Sequence, residues 1–303
     1  MGETAAIETR GLSKTYPNGV GALANLDLRV EQGEVFGYLG PNGAGKSTTI
    51  RCLLDLIRPT QGQGLILGLD TRTEGVEARR HVGFLPGDAR FADRLTGGEQ
   101  LESFARLRGG VDVAFREQLV RRFDCDLRRP IRELSKGNRQ KLGIVQAFMH
   151  RPKVLILDEP TGGLDPLVQT EFRALARETA AEGRTVFLSS HSLDEVQHIA
   201  DRVGIIRKGR LIDIDAVDSL RERALRHVTI RFSESVDQAP FAAIDGVRVE
   251  QTDPTTIRLQ APEPAMDAIV KVSARHPIVD LVSQPADLEE IFLELYREAD
   301  GGD

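Results

Sequence analysis

The chain has 303 residues, of which 40% are apolar and 28% charged, with a formal net charge of −6. That balance belongs to an ordinary globular protein with room for two domains, and it excludes a chain that is mainly disordered. The negative balance gives no electrostatic reason to expect nucleic acid or an anionic lipid surface as a partner. Cys52 and Cys125 lack CxxC spacing, and the six histidines are scattered without metal-ligand spacing, so neither a disulfide framework nor a metal cluster is expected. Met1 to Arg10 carries Glu3 and Glu8 and lacks an apolar core, unlike a secretory signal. No apolar run approaches the roughly 18 residues that a spanning helix needs.

In chain order, the alternation of Leu26, Leu28 and Val30 reads as a strand, and Val35 to Leu39 as a second, more buried one running into a glycine-rich turn. A helix is predicted next, with Ile50, Leu53, Leu54 and Ile57 at i, i+3, i+4 and i+7, stopping at Arg58 before Pro59. A strand follows at His81 to Pro86. From about Asp88 to Met149 the pattern is helical, at Gln100 to Leu107, Ala114 to Phe123 and Gln140 to Met149, which predicts a helical subdomain inserted into the core. Val154 to Leu157, a helix over Thr170 to Ala181, and Val186 to Ser190 give the βαβ alternation of a parallel sheet. Two short strands flank Lys208-Gly209, and the first domain is expected to end near residue 215. Residues 216–303 change rhythm. Strands are predicted at Val228 to Phe232, Val247 to Gln251, Thr256 to Leu259 and Ile278 to Val282, with helices at Met266 to Ala274 and Leu288 to Tyr296. This is a small α+β domain without a catalytic motif, read as a packing or dimerising appendage.

Between strand and helix, Gly40-Pro41-Asn42-Gly43-Ala44-Gly45-Lys46-Ser47-Thr48 satisfies GxxxxGK[ST] in the context that the pattern requires. Glycines bring successive N–H groups up to phosphate oxygens, and the helix N-terminus adds partial positive charge. Lys46 is placed to reach the β- and γ-phosphates, and the Ser47 hydroxyl to ligate Mg²⁺. Asp158, closing an apolar strand, is suited to hold Mg²⁺ through water, and Glu159 beside it to polarise an attacking water. His191 follows another strand and emerges at the same sheet edge as Glu159.

Three further segments join these: Leu134-Ser135-Lys136-Gly137-Asn138-Arg139-Gln140 before a helix, Gly163-Leu164-Asp165, and Ser190-His191. With the phosphate loop and Asp158-Glu159, their order resembles that of an ABC ATPase across about residues 7–212. The resemblance implies a P-loop NTPase fold of α/β class and ATP and Mg²⁺ as cofactors, with Glu159, His191 and Lys46 catalytic. It also implies a nucleotide-sandwich homodimer, because Ser135 and Gly137 would serve the nucleotide held by the other copy, and one chain carries a single phosphate loop and a single signature. Gly163-Leu164-Asp165 would pass signals across that interface. Tyr16 matches the position that stacks on adenine, a contact that need not read base edges.

One position departs from the family pattern. Where the family usually has Gln after the strand His81 to Pro86, this chain continues Gly87-Asp88, so Asp88 or a water substitutes for the amide, or hydrolysis is slow. Phe84 to Asp88, Leu134 to Gln140 and the ending Leu288 to Tyr296 resemble the ATPase subunits of ABC-2-type exporters, including the antibiotic-resistance branch. That implies two copies beneath a separate ABC-2-type membrane permease at the cytoplasmic face of the membrane, with the surface around Gly87 to Arg94 receiving the permease. The alternatives are a soluble ABC ATPase and an ATP-dependent clamp without turnover.

Overall fold

The computed structural model describes residues 4–88, 91–223 and 225–284. The chain forms two compact units, Met1–Ile214 and Asp215–Asp303. In the first, β1 (Ile7–Thr15) pairs antiparallel with β2 (Gly21–Val30). After β3 (Val35–Leu39) and α1 (Lys46–Leu53), β4 (Gln61–Ile66) and β5 (Leu69–Asp70) complete a sheet of order β2-β1-β4-β5. Of this sheet the sequence pattern predicts only β2, through its alternation of Leu26, Leu28 and Val30. The glycines of β4 (Gly62, Gly64) and the bulges in β1 blur the two-residue period.

The chain continues through α2 (Gly75–Arg80) and β6 (Val82–Leu85) into three helices, α3 (Gly97–Leu107), α4 (Val113–Arg122) and α5 (Lys136–Phe148). It then returns through β7 (Val154–Asp158), α6 (Pro166–Ala181), β8 (Thr185–Ser190), α7 (Leu193–Gln197), β9 (Arg202–Arg207) and β10 (Arg210–Ala216). The central sheet has the order β10-β9-β3-β8-β7-β6, in which the five strands from β9 to β6 run parallel to one another. Every residue of β3, β7 and β8 is buried, which is why these strands read as unbroken apolar runs rather than alternations. Phe36 and Phe187 stack across β3 and β8 at 5.9 Å, and Tyr38 reaches over Phe187 to bond Thr49 of α1 at 3.2 Å.

Helix starts follow side-chain caps that the apolar periodicity does not mark. Thr96 and Glu99 form a reciprocal capping box on α3, and Asp112 and Ser135 accept from the third helical N–H of α4 and α5. Asp165 does the same for α6, with Pro166 at its first position. Accordingly α6 begins four residues before the predicted Thr170 and α5 four before Gln140. Conversely α1 is shorter than predicted. Asp55, at φ 54°, bonds back to Cys52 O (3.1 Å) and Leu56 to Arg51 O (2.9 Å), a left-handed closure that ends the helix before Ile57.

The second unit begins with α8 (Val217–Arg223). The strands β11 (Arg226–Phe232), β12 (Arg248–Asp253), β13 (Thr256–Ala261) and β14 (Ile278–Gln284) form an antiparallel sheet of order β12-β13-β11-β14. Helices α9 (Ala239–Ala242) and α10 (Met266–Ser273) lie along the chain between them. Val228, Ile230, Phe232, Ile257, Leu259, Phe241 and Ile269 are buried in its core. All four predicted strands are present, α9 is an addition, and the helix predicted at Leu288 to Tyr296 lies outside the described residues.

Candidate active site

Register brings the site together. Leu39 pairs with Ser190 and Asp158 with Ser189, so β3, β7 and β8 end level, and the loops carrying Gly40, Glu159 and His191 leave from one sheet edge. Gly40 N donates to Ser190 O at 3.2 Å, stitching the start of the phosphate loop to β8. The loop then requires two left-handed residues, Gly43 at φ 80° and Gly45 at φ 115°. Close packing adds a second demand, since a Cβ on Gly45 would stand 2.8 Å from Ala22 O and one on Gly40 2.4 Å from Ile206 O. Pro41 O accepts from Ala44 N, while Asn42 remains exposed at the loop crest.

The Lys46 side chain is 5% exposed and lies back along its own loop, donating to Gly40 O at 2.6 Å and Pro41 O at 3.2 Å, with Glu159 Oε1 3.6 Å away. Ser47 lines a cavity of about 510 Å³ with Asp158, Glu159, Gly87 and Asp88. Thr48 shares a 3.3 Å hydrogen bond with the hydroxyl of half-buried Tyr16, and Lys14 Nζ sits 5.5 Å from the Tyr16 ring centre. Tyr16 is thereby held beside the start of α1.

The acidic pair is held by a residue that the sequence did not single out. Ser189 Oγ donates to Asp158 Oδ1 at 2.5 Å and accepts from Glu159 N at 3.1 Å, so one buried hydroxyl positions both acids. Glu159 itself stands at φ 50°, a left-handed conformation costing a non-glycine residue about 1–2 kcal/mol. Its amide also donates to Ser189 O at 3.2 Å. Its carboxylate bonds His191 Nδ1 at 2.6 Å, between that imidazole and the Lys46 ammonium. Gln140, only 4% exposed, braces the following turn by donating to Pro160 O at 2.8 Å and Glu159 O at 3.3 Å. Such strain, overdetermined by neighbours, is a mark of a functional position. Neither Ser189 nor Gln140 carries a local signal of this role, because both act across the fold on residues far away in sequence.

Lys46, Ser47, Asp158, Glu159 and His191 therefore converge. Among the described residues, Ser135 and Gly137 make no hydrogen bond to the phosphate loop of their own chain. Ser135 is exposed and caps α5 through Asn138 N at 3.2 Å, and Gly137 faces Gly163, whose carbonyl would lie 2.9 Å from a Cβ there. Asp165 is occupied as the cap of α6, accepting from Val168 N at 3.0 Å.

The sequence matches the ABC transporter family over residues 23–162. Over 96% of its length it is 36% identical to the daunorubicin/doxorubicin resistance ATP-binding protein of Streptomyces peucetius, covering 92% of that protein. It is 33% identical over 98% of its length to the bacitracin transport ATP-binding protein of Enterococcus faecalis, covering 96% of it. Among solved structures, an ATP-binding subunit of an ABC transporter superposes with a TM-score of 0.66 at 32% identity, over 71% of this chain and 92% of that one. A dimeric ATP-binding cassette with ADP and phosphate shares the fold, with a TM-score of 0.64 at 23% identity over 70% of this chain and 98% of the other. No helix among the described residues is long and apolar enough to cross a membrane. The chain belongs to the ABC transporter family, as one of its ATP-binding, ATP-hydrolysing subunits.

Proposed function

We propose that this chain is the motor of an exporter, hydrolysing Mg-ATP with Glu159 as the general base and driving a separate ABC-2-type membrane permease as a dimer at the cytoplasmic face. The observation that carries the reading is the Glu159 carboxylate, locked at a strained backbone position and bonded to His191 at 2.6 Å at the mouth of the phosphate loop. The relatives named for drug resistance and bacitracin transport support the export role.

In this reading the loop amides from Gly43 to Thr48 and Lys46 bind the phosphates. Binding requires Lys46 Nζ to exchange the Gly40 and Pro41 carbonyls for phosphate oxygens, a move of a side chain already in place. The Ser47 hydroxyl and the Asp158 carboxylate are hard oxygen donors on one cavity, a set that fits Mg²⁺. Mg²⁺ held by these two groups would supply charge neutralisation for the phosphates. Glu159 takes a proton from the attacking water as its oxygen bonds to the γ-phosphorus and the bond to the ADP oxygen breaks. His191, bonded to the same carboxylate, orients it and the transferring phosphoryl group. Tyr16 offers its ring to the adenine. Ser135 and Gly137, which make no hydrogen bond to their own loop, serve the nucleotide of a second copy, which completes each site. The surface around Gly87 to Arg94 receives the permease.

The test is steady-state ATP hydrolysis by wild type and Glu159→Gln, with and without the membrane protein that co-purifies from the native host. Turnover that rises with the partner and vanishes in the variant supports a transport motor. Turnover indifferent to any membrane partner refutes the export role, and its absence under all conditions indicates a clamp.

A further inference from the structure

The turn that follows Glu159 is gripped from α5 at two points. Near its start, the buried amide of Gln140 donates to Pro160 O at 2.8 Å and to Glu159 O at 3.3 Å, and Gly162 N closes the turn on the same Glu159 carbonyl at 3.3 Å. Near its end, a Cβ on Gly137 would stand 2.9 Å from Gly163 O, and one on Gly163 would stand 3.3 Å from Lys136 Cδ. The two glycines let helix and turn approach to backbone contact, and the Lys136 stem covers the join.

A left-handed residue relaxes by turning one of its two flanking peptides, which swings its Cα–Cβ bond to a new direction. At Glu159 each peptide has its own holder. Ser189 fixes the amide side, through Oγ at 3.1 Å and the carbonyl at 3.2 Å, and Gln140 fixes the carbonyl side. We infer that Gln140 is a positioning residue for hydrolysis, pinning the carbonyl side of Glu159 from α5 so that the base keeps the left-handed conformation in which its carboxylate meets His191. This rests on the proposed role of Glu159 as general base. Among the described residues Gln140 makes no hydrogen bond to the phosphate loop, so its loss frees one peptide of Glu159 and leaves nucleotide binding intact. A displacement of about 1 Å at a reacting group costs up to about a hundredfold in rate.

The experiment measures ATP hydrolysis by the full chain, in steady state and in single turnover, for wild type, Gln140→Met, Gln140→Ala, Glu159→Gln, and Gln140→Met combined with Glu159→Gln. Methionine keeps the volume and removes the donor. Alanine leaves room for a water to satisfy both carbonyls while cutting the tie to α5, and it replaces the methionine variant should that one fail to fold. Melting temperature and trinitrophenyl-ATP affinity report the fold. The expected result is a loss of about ten- to a hundredfold in kcat at unchanged KM and unchanged trinitrophenyl-ATP affinity. In the Glu159→Gln background Gln140→Met should take nothing further from the residual rate, because a residue that acts through the base has no effect once the base is gone. Wild-type kcat in a folded Gln140 variant, a loss confined to KM or affinity, or a further loss of the same size in the Glu159→Gln background overturns the inference and leaves Glu159 as the base. Wild-type kcat in Glu159→Gln overturns both.

Discussion

Removing one hydroxyl, in Ser189→Ala, should cost both stability and turnover. Ser189 Oγ makes a charge-assisted bond of 2.5 Å to Asp158, whose carboxylate is 8% exposed, and accepts from Glu159 N at 3.1 Å. A hydrogen bond to a buried charged group is worth about 1.5–3 kcal/mol, and its loss leaves a carboxylate oxygen short of a partner. We take about 2 kcal/mol. For a unit the size of Met1–Ile214 this lowers the melting temperature by about 4–8 °C. Glu159 N keeps Ser189 O at 3.2 Å, so the acid shifts rather than leaves its place, and turnover falls roughly tenfold. Neighbouring Ser190 provides the comparison: its hydroxyl bonds Glu195 at 2.7 Å and Ser192 N at 2.9 Å, away from both acids. Ser190→Ala should therefore lose stability with a several-fold smaller loss of turnover. Differential scanning fluorimetry and a coupled ATPase assay read the two effects. Wild-type turnover in Ser189→Ala, or equal damage in Ser190→Ala, would refute the positioning argument.

Burial, with Arg108 nearby, pushes His150 down to about 4, even though its Nε2 lies 3.2 Å from Val82 O. Folding thus favours the neutral ring. The stability it lends is intact above about pH 6.5 and is lost as pH falls toward 4, amounting to about 2 kcal/mol by pH 5. Denaturant unfolding at pH 7 and pH 5 should show that difference reduced in His150→Gln. Gly40→Ala drives a Cβ to 2.4 Å from Ile206 O and should destabilise by about 1–3 kcal/mol while weakening ATP binding. Gly43→Ala meets no neighbour within 4 Å and should cost only about 1 kcal/mol for its left-handed backbone, as read by thermal melts of the two variants. Arg122 of α4 forks onto Glu171 (2.9 Å) and Glu178 (2.6 Å) of α6, holding Glu178 below the usual carboxylate range. Arg122→Met should cost about 1 kcal/mol in low salt and much less in 1 M NaCl, measured by denaturant titration.

The chemistry was legible in the sequence wherever it is local. The phosphate loop needs glycines two or three residues apart and a lysine and serine just inside a helix, so one short stretch of chain spells it. Asp158 and Glu159 announce themselves by ending an apolar run. Buried strands and helix interiors were legible for the same reason, since burial on both faces leaves an unbroken apolar signature over a few residues, as in Val154 to Leu157. Helix starts at Gly97, Lys136 and Pro166 were not read from periodicity, although their caps at Thr96, Ser135 and Asp165 were written one residue earlier.

What only the tertiary structure decided is which distant residues meet. Parallel register between β7 and β8 sets Ser189 opposite Asp158, and the packing of α5 brings Gln140 to the carbonyl of Glu159. The pairing of β6 with β7 carries Gly87 and Asp88 past the acidic pair. No spacing along the chain encodes these meetings, because sheet order and strand register arise from burial of the whole core rather than from any local pattern. By itself the sequence determined the set of chemical groups and the strand ends that bear them. The fold determined how those groups are held, down to the left-handed turn that aims Glu159 at His191.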